Sequence, residues 1–62
     1  MKFILLNRAD LQIAIRADHI VAVFDNGEDT SVLTVGSERP FYVDETVKEV
    51  LEMIRGAENG ER

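Results

Sequence analysis

Few residues in this chain are of a type that does chemistry, and the first is the sole histidine, His19. A general base needs a nucleophile or an orienting carboxylate within hydrogen-bond reach, and the neighbouring Asp18 points elsewhere in most backbone conformations. As a zinc ligand, His19 would need two or three companions at workable spacing, and the chain has no cysteine and no such spacing. His19 reads as a turn residue. Asp25-Asn26-Gly27-Glu28-Asp29 has the oxygen donors of a calcium loop, but the twelfth position from Asp25 is Gly36 where a closing glutamate belongs. Asn-Gly favours positive backbone angles, so this stretch reads as a hairpin turn. Glu45, Glu49 and Glu52 could pair for acid–base work, yet their spacing puts them opposite an apolar stripe, in water. Lys48 and Glu52 form an ordinary i,i+4 pair. Gly27 and Gly36 stand singly and build no phosphate cradle. The expectation is a non-enzymatic chain with no catalytic, metal-binding or cofactor-binding residues.

The elements around these residues are legible from periodicity. Asp44 to Arg55, closed by Gly56, is the one convincing helix, with Asp44 as its N-cap. Val47, Val50, Leu51 and Ile54 fall at i, i+3, i+4 and i+7 and make the stripe that must pack on a sheet. Lys2 to Leu6 reads as the first strand. Leu11 to Arg16 alternates as the second, with Leu11, Ile13 and Ile15 toward the core, joined to the first by a loop of about four residues. Ala17-Asp18-His19 breaks the alternation as a single helical or 3₁₀-like turn that lets Ile20 tuck inward. Val21 to Phe24, Thr30 to Val35 and Phe41 to Val43 supply three more strands, the last opened by Pro40, which cannot donate a ladder bond. The fold class is α+β: an antiparallel meander of about five short strands with one C-terminal helix packed on one face. Residues 1–56 form a single small domain, and residues 57–62 read as a flexible C-terminal tail.

Sixty-two residues are near the lower limit for one self-sufficient core. Without cysteine there are no disulfide staples, so self-association is the remaining device. The net charge of −5 disfavours phosphate backbones and anionic membranes. No run approaches the roughly 20 apolar residues that span a bilayer, and Phe3-Ile4-Leu5-Leu6 is too short for a signal peptide. The chain is expected in the cytoplasm, with neither nucleic acid nor membrane insertion among its partners. One helix covers one face of a small sheet, and the first and third strands are apolar on both faces. The second face calls for a partner, most economically an identical subunit, with a dimer favoured. Ile4 and Leu6 are the candidate self-association residues.

Beyond the residue chemistry, the layout resembles the small flagellar proteins of the FlbD/SwrD type. The resemblance rests on the apolar first strand, on Ile13-Ala14-Ile15-Arg16-Ala17-Asp18-His19-Ile20, and on Asp29-Thr30 entering a β-branched strand. It is closest over Phe41-Tyr42-Val43-Asp44-Glu45-Thr46-Val47-Lys48-Glu49-Val50. The chain departs from that pattern at Arg8-Ala9-Asp10, where the family usually has a glycine-containing turn, and in its longer Glu38-Arg39-Pro40 turn. The resemblance implies a non-enzymatic accessory protein supporting flagellar motility and transfers no catalytic residues. The alternative from a different class is a small nucleic-acid-associated or phage-derived regulator, against which the acidic charge counts.

Overall fold

One continuous and one alternating apolar run pair as the antiparallel strands β1 (Phe3–Arg8) and β2 (Leu11–Arg16) in a computed structural model that describes residues 2–59. Ile4 stands opposite Ile15 and Leu6 opposite Ile13, and directly opposed side chains share a face. That set turns inward, and Ile4, Leu6 and Ile15 are buried. Phe3 and Leu5 lie on the other face, 55% and 51% exposed, opposite Arg16 and Ala14. The assignment of Ile4 and Leu6 to self-association is therefore corrected. Four apolar residues in a row do not reveal which alternate pair goes inside. The partner strand decides it, because the inward pair meets two isoleucines while Leu5 meets only an alanine.

The strands run further than expected, so the connecting loop is Ala9-Asp10 alone, not four residues. Ala9 sits at φ 53, and a two-residue hairpin of this kind needs a positive angle at its first central position. A 3₁₀ turn at Ala17–His19 then ends the first sheet and lets Ile20 pack on the core, as the break in alternation implies. Strands β3 (Ile20–Asp25), β4 (Thr30–Thr34) and β5 (Phe41–Val43) form a second antiparallel sheet in the order β3-β4-β5. The five strands are thus two sheets and not one continuous meander, because the 3₁₀ turn interrupts the ladder between β2 and β3. Thr30, Ser31, Val32 and Thr34 are all buried, so β4 is covered on both faces.

Helix α1 (Val47–Asn59) packs on β1, β3 and the 3₁₀ turn. Its N-cap is Thr46, not Asp44. The Thr46 Oγ1 accepts from the Glu49 N–H at 3.1 Å, and the Glu49 carboxylate accepts from the Thr46 N–H at 2.9 Å. This reciprocal capping box was present in the sequence as Thr46-x-x-Glu49. The helix also runs through Gly56 to Asn59, so part of the expected tail is helical and the domain does not end at residue 56; residues 60–62 lie outside the described residues. The buried stripe differs from the expected one. Val50 is fully buried, Val47 is half-buried, and Met53, Ile54 and Ala57 pack against the core. With about 100° between successive residues, the stripe centres on Val50 and leaves Leu51 on its margin. Leu51 is 46% exposed, which corrects its place in the helix–sheet core.

Candidate functional site

Two regions of the surface stand out, one polar and one apolar. The polar region gathers at the Ala9-Asp10 turn, where the segment between β5 and α1 arrives. Asp44 donates its N–H to the Asn7 carbonyl at 2.7 Å, and its carboxylate accepts from the Ala9 N–H at 2.8 Å. Glu45 accepts from the Asn7 N–H at 2.9 Å and from the Asn7 side-chain amide at 2.7 Å. The two acidic residues that appear in the sequence to begin a helix instead hold the tip of the first hairpin. Arg8 reaches from that tip to the Asp29 carboxylate in the second hairpin turn, with Asp44 at 3.8 Å.

An open groove of about 600 Å³ runs beside this clamp, lined by Asn7, Asp44, Glu45, Glu49, Glu52 and Met53. Its carboxylates are largely committed: Asp44 and Glu45 to the hairpin, Glu49 to the helix cap. Among the described residues no group of three His, Cys, Asp or Glu side chains is placed to hold a metal ion.

In the Asp25–Asp29 loop, the oxygens that suggest calcium bind backbone instead. Asn26 Oδ1 accepts from the N–H groups of Glu28 and Asp29 at 3.0 and 2.9 Å, and Asp25 accepts from Gly27 at 2.7 Å. Asn26 also reaches the buried Ser31 hydroxyl at 2.9 Å, and the Gly27 φ of 100 supplies the reversal. The Asn26 amide chiefly holds the Asp29 carboxyl below its ordinary value, opposed in part by desolvation and aided by the Arg8 guanidinium. The Arg16 guanidinium does the same for Asp18 in the 3₁₀ turn. His19 is exposed in that turn, and its carbonyl accepts from the Val35 N–H at 2.8 Å.

The apolar region is the outward side of both sheets. On the β1–β2 sheet, Phe3, Leu5 and Ala14 share the face turned away from the core. On the second sheet, Phe24 and Tyr42 flank Ser31 in one cross-strand row, which buries the serine while leaving both rings partly in water. Of the residues singled out from sequence, Val50, Ile54, Ile4 and Leu6 meet in one core, with Val47 half-buried at the start of the helix and Leu51 outside it. Phe3 and Leu5 were missed as surface residues, and the available signal was the register itself: a tight turn places Leu5 against Ala14. No protein-family model, curated protein or solved structure matches this chain.

Proposed function

We propose that this chain is a small non-enzymatic interaction protein of the cytoplasm that works as a homo-oligomer, in its simplest form a dimer. Its accessory role supports flagellar motility. The observation that carries the interaction reading is the outward face of the first hairpin, where Phe3 and Leu5 stand side by side, each more than half exposed. At about 25 cal/mol per Å², covering two such side chains is a substantial drive toward association for a chain of this size. The motility part is supported by the resemblance over residues 41–50, whose Asp44-Glu45-Thr46 segment both clamps the hairpin and caps the helix.

Light scattering after size exclusion tests the first part. The expected mass is a multiple of the 7.0 kDa chain, falling to the single chain in Leu5→Lys, which does not touch the core. A wild-type mass of one chain throughout the micromolar range would sink it. For the second part, deleting the gene should impair swimming in the host, and wild type should restore it while Leu5→Lys does not. Unchanged swimming on deletion would remove the motility role and leave the association untouched.

A further inference from the structure

Among the described residues, three of the four sheet-edge strands carry a feature that blunts them, β1 only at its Asn7 end. Strand β5 is three residues long and enters from Pro40, and the end of β1 is closed by Asp44 and Glu45 on Asn7. The β3 ladder carries a register shift between Ile20 and Ala22 and ends in Asp25. These are the devices that keep a sheet from pairing with another chain. Strand β2 has none of them: six residues, an unbroken register, no proline, no lysine, no carboxylate. Ala17 donates to Lys2 across the ladder, and donors alternate along a strand, so Ile15, Ile13 and Leu11 bond toward β1. The N–H and C=O groups of Gln12, Ala14 and Arg16 therefore point to the open side. Among the described residues nothing hydrogen-bonds to them there.

We infer that β2 pairs antiparallel with β2 of a second copy about a two-fold axis at Ala14, joining the two hairpins into one four-stranded sheet. This rests on the self-association proposed above and adds to it a sheet-edge contact distinct from the outward face of Phe3 and Leu5. The register follows from three observations. Only with Ala14 opposite Ala14 do all three outward residues find partners, with Gln12 facing Arg16 on either side; a shift of two residues leaves one unpaired. The same register keeps the sole charge of β2, Arg16, away from its own copy and against a neutral amide. It also lines up Leu5, Ala14, Ala14 and Leu5 as one apolar row across the joint, and on the inner side sets the half-buried Ile13 against Ile15 of the second copy. Leu11, 68% exposed at the end of the free strand, gains cover beside Ala17 of that copy. A foreign strand would satisfy the backbone equally but not the placement of Gln12 against Arg16.

Three variants of exposed β2 positions test this by light scattering and sedimentation across a concentration series. Gln12→Glu places a carboxylate opposite each Arg16 and should tighten association roughly 2- to 30-fold for the two symmetric pairs. Gln12→Lys should weaken it by a similar factor, and Ala14→Pro, which removes only an outward donor, should abolish it while circular dichroism stays native. Opposite shifts for the two Gln12 variants carry the inference. If wild type associates but none of the three variants alters it, the β2 contact is wrong and the self-association stands; if wild type is a single chain throughout, the self-association itself fails.

Discussion

The first two hairpins of this small fold make their turns in opposite ways. The Asp25–Thr30 connection is self-sufficient: Asn26 bonds its own neighbours, and Gly27 takes the positive φ that a side chain would resist. The Arg8–Leu11 connection has neither. It places Ala9 in a left-handed conformation that strains an L residue, and its exposed N–H is satisfied by Asp44, 35 residues away in sequence. One turn forms from local chemistry, and the other is held closed by the arrival of the segment before the helix. The consequence is that closure of the first turn depends on a distant segment, whereas the second is closed by its own side chains. Arg8 on Asp29 is the direct ion pair between the two turns.

The largest expected effect comes from the core that both hairpins share. Leu6→Ala, at a fully buried position of the first hairpin, should lower stability by about 2–5 kcal/mol. Leu51→Ala, on the margin of the helix, should cost well under half as much. Chemical denaturation of the two variants checks the assignment of faces, and equal losses would refute it.

Next in size is the clamp. Replacing Asp44 and Glu45 together by alanine removes the acceptors for Ala9 and Asn7 and should cost about 1–3 kcal/mol. Hydrogen exchange should rise first at the amides of residues 7–11 and leave the 26–30 turn protected. A uniform rise across both hairpins would break the contrast between borrowed and local closure.

Exchanging the small residues gives changes of opposite sign. Ala9→Gly should stabilise by about 1 kcal/mol, and Gly27→Ala should destabilise by a similar amount, since nothing crowds a Cβ at position 27 and only the backbone angle resists it. Thermal melts of the pair decide it: two shifts of the same sign would mean that the turns do not differ as described.

The smallest effect is the pH dependence of the bridge between the hairpins. The Asp29 carboxyl is held below its ordinary value by Asn26 and Arg8, so folding favours its ionised form. That contribution is fully present above the unfolded-state value of about 3.9 and is lost as pH falls through the lower folded-state value. Asp29→Asn should therefore flatten the stability profile below about pH 4 and leave the slope near neutrality unchanged, as followed by urea melts at a series of pH values.

What was legible by itself was whatever depends on neighbours in sequence. The Asn26-Gly27 turn, the break at Ala17–His19, the strand identities and the existence of one terminal helix all follow from interactions spanning a few residues. The α+β class follows from them in turn. The faces could not be read in the same way. Phe3-Ile4-Leu5-Leu6 offers two equivalent apolar sets, and only pairing with Ile13 and Ile15 sends Ile4 and Leu6 inside and leaves Phe3 and Leu5 in water. The helix offers apolar residues on both flanks of Val50, and packing on the sheet buries the Met53 flank and leaves Leu51 outside. Asp44 and Glu45 have the composition of a helix start, but their oxygens serve Ala9 and Asn7, partners that exist only once β5 lies beside β1. Side-chain type decides which elements form, because propensity is local. Which face is buried and which carboxylate is committed depend on long-range packing, because burial and hydrogen-bond satisfaction belong to the assembled chain.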